Sequence, residues 1–229
     1  MRRQVAPIIA FSGSDGSGKS TQIQRLQEYL QRRGIETTCC WSRGGYTPLF
    51  ARAKSVLRRA PGAVLPPAGE SAERDRLLGK RWIRRSWLAL SILDLAFLYA
   101  VRIRIWRSRG TWVICDRYLL DTRIDFELNF PGENVHEWRL WQLLGRVCPR
   151  PDVHFVMRVP VEESLRRAKQ KNEPFPDPPE RLALRLESYR EVECSGGRVA
   201  LDGLRPIDEL FSEICAALPP LNGNGTDAD

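Results

Sequence analysis

Gly13-Ser14-Asp15-Gly16-Ser17-Gly18-Lys19-Ser20 follows the pattern G-x-x-x-x-G-K-[ST]. It decides the fold because its flanks agree with it. Upstream, Ala6–Phe11 is an apolar run suited to a buried parallel strand. Downstream, Ile23, Leu26 and Leu30 recur at helical spacing within Thr21–Arg33. A strand that turns through glycines into a helix leaves backbone N–H groups aimed at an anion. Gly13, Gly16 and Gly18 let the backbone curl close to that anion. Lys19 then reaches phosphate oxygens as a point charge, and the Ser20 hydroxyl suits Mg²⁺. Asp15, Ser17 and Thr21 complete the phosphate-side set.

The remaining chain alternates strands and helices. Ile35–Trp41 reads as a second strand and runs into the loop Ser42–Pro48. A helix is expected from Pro48 to about Arg59, then a Pro/Gly-rich loop over Pro61–Gly69. Ser71–Arg107 is helical in pattern, as one helix or two, and Gly110 ends it. Thr111–Cys115 is a third strand that leads into Asp116-Arg117-Tyr118. Helices are expected over Leu119–Asn129 and Val135–Val147, and a fourth strand over Asp152–Val159. Helices at Glu162–Lys171, Glu180–Glu193 and Ile207–Leu218, with a strand at Arg198–Leu201, complete the pattern. Five strands alternating with helices imply a parallel sheet covered on both faces, with ligands at the carboxyl ends of the strands. The tail after Pro219 is expected to be disordered.

Composition narrows the function. At 229 residues, 42% hydrophobic and 28% charged, the chain fits a soluble globular protein with one sizeable core. No secretory pattern precedes the first strand. Trp87–Val101 is apolar but short for a membrane span and carries Asp94, so a buried core helix is expected. The six cysteines form no C-x-x-C or zinc spacing and read as reduced thiols of a cytoplasmic protein. His136 and His154 are too scattered for a metal site, and His154 reads as structural. The net charge of +8 fits a polyanionic small-molecule ligand. A nucleic-acid partner is not expected, because no reading element for DNA or RNA is present.

These segments resemble the thymidylate kinases, within the P-loop nucleoside monophosphate kinases. Phe11–Leu30 is similar to that family's opening segment. Arg43-Gly44-Gly45-Tyr46-Thr47-Pro48-Leu49 resembles its R-E-P-G-G-T-P-L loop. Thr111–Tyr118 resembles its strand plus D-R-[YH], and Asp152–Arg167 its strand, P-x-E turn and lid start. The resemblance implies a three-layer α/β/α P-loop NTPase sandwich with a five-stranded parallel sheet. It implies one kinase domain over residues 1–218, with a lid near 166–179. It further implies ATP and Mg²⁺, the metal held by Ser20 and Asp116. Asp15 contacts the acceptor sugar, Arg43 belongs to the acceptor loop and Arg117 grips the acceptor phosphate. The loop carries Gly16 in place of arginine, so Arg166, Arg167, Lys169 and Lys171 of the lid supply the closing cations. The family's homodimers pack through helices beside the sheet, a role this resemblance gives to Trp87–Val101.

Three departures concern the acceptor. Counting back from Gly110, the family's F-x-A-x-R segment falls on Ser91-Ile92-Leu93-Asp94-Leu95, where the arginine is missing and an acid stands beside its place; a shift onto Tyr99-Ala100-Val101-Arg102 restores it but needs a gap inside a helix. Its S-x-x-A-Y-Q becomes Asp121–Phe126, and the glutamate of its R-E-P-G-G loop has no counterpart. Asp94, Asp121 and Asp125 thus stand where neutral or cationic base-reading groups are expected. Carboxylates accept hydrogen bonds, and suit amino groups or sugar hydroxyls. Asp121 either caps the helix after it or contacts the acceptor, and Asp125 is either an acceptor contact or exposed. The expected activity is phosphoryl transfer to a nucleoside monophosphate, with dTMP favoured by the resemblance. The alternatives are a non-nucleotide acceptor, or a nucleotide-binding protein without transfer activity.

Overall fold

The computed structural model describes residues 5–42, 72–171, 177–193 and 197–221. Arg43, the helix expected from Pro48, the loop Pro61–Gly69, Cys194 and residues 222–229 of the tail lie outside the described residues.

β1 (Ile8–Gly13), β2 (Thr37–Trp41), β3 (Trp112–Asp116), β4 (Val153–Arg158) and β5 (Val199–Asp202) form one sheet in the order β2-β3-β1-β4-β5. Each neighbouring pair is parallel. The chain builds one side of β1 first, then crosses β1 to build β4 and β5. The carboxyl end of β1 is therefore the topological switch point, where ligands bind in open α/β sheets.

Side-chain alternation sorts the two faces. Ile9 and Phe11 point with Ile114, Phe155 and Leu201 towards α1 (Lys19–Arg32) and α9 (Ile207–Ala216), which bury Ile23, Leu26, Leu30, Leu210 and Ile214 there. Ile8, Ala10, Val113 and Cys115 face α3 (Arg81–Ala96), α5 (Leu119–Asn129) and α6 (Arg139–Val147). α8 (Pro179–Glu193) completes that layer where Tyr189 packs on Val156, Leu120 and Ile124. The result is the three-layer α/β/α arrangement expected from the alternating pattern.

Several boundaries move for physical reasons. β1 runs on into Ser12 and Gly13, because Gly13 still pairs with Met157 of β4. The loop's first glycine is thus a strand residue. The helical region before β3 breaks at Gly79 and Lys80, between α2 (Ala72–Gly79) and α3. From Arg81 it continues through a π-helical turn, Phe97–Arg102, into α4 (Ile103–Ser108). Trp87–Val101 is two-faced instead of wholly buried. Trp87, Leu88, Ile92, Leu95 and Tyr99 pack inward, while Leu90, Leu93, Phe97 and Val101 are exposed. The helix expected over Val135–Val147 is interrupted at Trp138, whose backbone is extended and whose indole N–H donates to the Glu133 carbonyl at 2.9 Å. Among the described residues no helix is long and apolar enough to cross a membrane.

Gly13 has φ +145°, and a Cβ there would lie 2.4 Å from the Met157 carbonyl oxygen. Backbone strain and overlap with a neighbouring strand act together at this position. Gly13→Ala is expected to destabilise the fold by about 2–3 kcal/mol, read as a lower urea midpoint with an unchanged slope.

Candidate active site

The glycine loop leads into α1 without a side-chain cap and without an acid in the helix's first turn. The first N–H groups of the helix therefore remain available to an anion. Gly16 takes φ +76°, and a Cβ there would meet the Ser164 carbonyl at 2.9 Å, so the loop packs directly on α7 (Val161–Gln170). Ser164 Oγ donates to the Asp15 carbonyl at 2.5 Å and fixes the loop's crest.

Lys19 is buried, and its ammonium donates to the carbonyls of Gly13 (2.9 Å) and Ser14 (2.7 Å) and to Ser17 Oγ (3.3 Å). Burial, reinforced by the Arg117 charge, lowers its pKa to about 8. The site thus holds a partly desolvated cation that added negative charge would stabilise.

Asp116 and Arg117 arrive from β3. Asp116 Oδ1 is buried and has no hydrogen-bond partner among the described residues. Burial pushes its carboxyl pKa up, against the pull of Lys19 and Arg117. Arg117 adopts φ +74°, a left-handed backbone rare for an arginine, and its N–H donates to the Phe11 carbonyl at 2.9 Å. That turn brings its guanidinium under the loop, where it pairs with Asp15 and lies 3.6 Å from Asp121. Burial opposes its charge, but Tyr189, Asp121 and Asp15 outweigh that effect and keep it protonated. Asp15, Lys19, Trp41, Asp116, Arg117 and Lys171 line a single cavity of about 210 Å³ at the strand ends.

A P-loop cavity of this kind is shared by many enzymes, so relatedness was compared along the whole chain. The chain is 30% identical over 220 residues to a thymidylate kinase of Thermosipho melanesiensis, covering 90% of this chain and 94% of that one. A thymidylate kinase of Alkalilimnicola ehrlichii is 30% identical over 168 residues, 72% of this chain and 68% of its own. One from Carboxydothermus hydrogenoformans is 26% identical over 221 residues, 94% and 98% of the two chains. The chain belongs to the thymidylate kinase family. No family model matches it. As a member of that family it is a phosphotransferase of the nucleoside monophosphate kinase class.

The four cations expected to belong to a lid differ in position. Arg167 is half-buried against the loop, donating to Glu163 (2.5 Å) and to the carbonyls of Gly16 (3.3 Å) and Gly203 (3.1 Å). Arg166 is exposed and forms a two-pronged pair with Glu163, both contacts at 2.7 Å. Lys169 and Lys171 are exposed, and Lys171 lines the cavity at the glycine loop. Thr21 lines an adjacent cavity of about 250 Å³ with Gln22, Arg167, Lys171 and Arg205. Gln22 Oε1 is buried there without a partner among the described residues.

The acidic departures lie beneath the loop. Asp121 is fully buried and accepts from Ser12 Oγ (2.5 Å), Tyr189 Oη (2.7 Å) and the Tyr118 N–H (3.1 Å). Both of its oxygens are thereby engaged within the protein. Asp125 is buried and pairs with Arg185 at 2.6 Å. Arg185, itself buried, also binds Asp177 at 2.8 Å. Asp94 is buried on the inner face of α3, and Ser91 donates back to the Trp87 carbonyl at 2.9 Å. Sequence reasoning missed Trp41, Arg185 and Tyr189. The signal was faint: Trp41 closes a strand that opens with two threonines, and Arg185 and Tyr189 share one helix face four residues apart.

Burial raises the Asp121 pKa, but Arg117 and the three hydrogen bonds outweigh it and hold the carboxyl below its ordinary 3.8. A carboxyl depressed in the folded state stabilises it above the unfolded pKa, and that stability is lost as pH falls through the folded value. Asp121→Asn should therefore cost about 3 kcal/mol near neutral pH, with the difference from wild type shrinking below pH 3.8. Urea titrations of both proteins from pH 7 to pH 3 check this.

Proposed function

We propose that the chain transfers the γ-phosphoryl group of ATP to a nucleoside monophosphate, with Mg²⁺, and that dTMP is the first acceptor to test. The single observation that carries the reading is the cavity lined jointly by Lys19, Lys171, Arg117 and Asp116. It joins a donor-phosphate cation, a lid cation, a buried arginine and a carboxylate at one switch point. The names of the relatives support the acceptor class.

Asp116 and Ser20 are the residues suited to Mg²⁺. A buried carboxylate oxygen without a partner, on a group destabilised by burial, is relieved by a cation. Mg²⁺ is commonly held by one or two protein oxygens plus substrate phosphates, so this small donor set is sufficient. When bound, the metal neutralises charge on the donor phosphates. The protein's own part is positioning. Loop N–H groups and Lys19 hold the donor, and Arg117 exchanges part of its contact with Asp15 for the acceptor phosphate. Lys171 and Arg167 approach from the lid, and the cavity of Thr21 and Gln22 takes the donor base. In-line transfer needs no strong base, since orientation and electrostatics dominate the barrier.

The acceptor base is read differently from the family pattern. We assign Asp121 and Asp125 to organising Arg117 and Arg185, because both oxygens of Asp121 and Oδ1 of Asp125 are engaged within the protein. Trp41, half exposed on the cavity wall, offers the aromatic face that Ser91 lacks. Asp94 and Arg43 remain candidates for direct acceptor contact. We read residues 1–218 as one kinase unit with its lid near 166–179. A reducing, cytoplasmic setting accords with five free cysteines among the described residues.

The exposed stripe Leu90, Leu93, Phe97, Val101 and Ile105 follows one face of the continuous α3–α4 helix. We assign it to a second copy of the chain, as the family resemblance implies.

The activity is tested by ATP consumption with Mg²⁺ across the common ribo- and deoxynucleoside monophosphates. Turnover with at least one of them is expected, and Lys19→Ala should lower it by about 100-fold or more. ATP binding with no turnover across the panel would favour a non-nucleotide acceptor. Light scattering should show a dimer that Phe97→Glu converts to a monomer.

A further inference from the structure

His154 sits on β4, and its ring is joined to the active site by hydrogen bonds. Its Nε2 lies 2.7 Å from Ser12 Oγ, and Ser12 Oγ lies 2.5 Å from Asp121 Oδ2. Asp121 is held ionised, so it only accepts. The single hydroxyl proton of Ser12 therefore goes to Asp121, and Nε2 must carry a proton and donate to Ser12. The neutral ring keeps its lone pair on Nδ1, which makes no hydrogen bond among the described residues. Asp121 in turn holds Tyr189 and faces Arg117.

The same ring lines a cavity of about 250 Å³, separate from the phosphate loop. Three arginines line it, each from a different part of the chain: Arg123 of α5, Arg150 of the turn before β4, and Arg198 of the approach to β5. Among the described residues no carboxylate lines it. Arg123 is partly neutralised by Glu127 at 2.8 Å, while Arg150 makes no ion pair among the described residues. Leu119, Trp141 and Pro151 supply apolar walls. Among the described residues, the charged groups facing His154 are Asp121 on the inner side and the three arginines of the cavity. Cations converging on one concave site favour an oxyanion.

We propose that this cavity is a binding site for a small oxyanion, such as the phosphate group of a metabolite, and that its occupancy sets the charge of His154. The site is distinct from the donor and acceptor positions and does not depend on the phosphoryl-transfer reading. Burial, aided by the Arg198 charge, holds the ring's pKa at about 4, so the imidazole is neutral at physiological pH. An oxyanion placed among the arginines offsets that repulsion and favours the imidazolium. The protonated ring is a stronger donor to Ser12, and the effect reaches the carboxylate that faces Arg117.

The chain has two histidines, so the ring signals are separable by nuclear magnetic resonance, and His136→Gln assigns them. Inorganic sulfate is the probe, because its charge is constant between pH 4 and 7, with ionic strength held by chloride. Sulfate should raise the pH at which His154 titrates by about one unit or more, in the wild type and equally in Lys19→Ala. Arg150→Ala/Arg198→Ala should abolish the shift, and both positions lie outside the packed core. No shift in the wild type would overturn the proposal. So would a shift that survives the double arginine variant, or one that disappears in Lys19→Ala and so reports on the phosphate loop.

Discussion

The Arg117 guanidinium, buried under the glycine loop between Asp15 and Asp121, is the contact on which the site depends. It reaches that place only because Arg117 accepts a left-handed backbone at the end of β3. The Gly13 carbonyl is the meeting point. Lys19 donates to it at 2.9 Å, Tyr189 at 3.3 Å and Arg117 at 3.5 Å. One strand end, one loop and one distant helix thus share an acceptor. Gly13 itself lies too close to β4 to carry a side chain. The phosphate loop is consequently a packed element, set by the sheet beneath it.

Burying these charges does not by itself stabilise the fold, since desolvation offsets most of the Coulombic gain. What it supplies is one arrangement. Arg117 links the loop to α5 through Asp15 and Asp121, and Arg185 links α5 to α8 and to Asp177. Tyr189 joins the two clusters by bonding Asp121 from α8. The proposed acceptor contact of Arg117 needs this framework, because an unpaired buried arginine would be costly while a loosely held one would position nothing.

The parallel sheet was legible because glycine spacing and apolar runs respond to local rules, and each strand carried its own signal. The same holds for Lys19, Asp116 and Arg117, which follow directly from the ends of two strands. The role of Asp125 was not legible, and that of Asp121 only in its bond to the Tyr118 N–H at the start of α5, a capping place the sequence already offered. Whether a carboxylate faces a ligand or the protein depends on partners distant in sequence: Ser12 and Tyr189 for one, Arg185 for the other. Asp15 shows the same limit, since its partner Arg117 lies 102 residues away. The two-faced character of Trp87–Val101 was hidden by its length of near-continuous hydrophobicity. A run interrupted only by Ser91 and Asp94 does not reveal which of its apolar residues the sheet will cover.

The central claim is that the fold delivers Arg117 as the acceptor-phosphate contact while Lys19 serves the donor. The most direct test is steady-state kinetics of Arg117→Met against wild type, with the acceptor and ATP varied separately. The account predicts a rise of about tenfold or more in the acceptor KM, with ATP affinity within about twofold of wild type. An unchanged acceptor KM, or a loss confined to ATP, would contradict it.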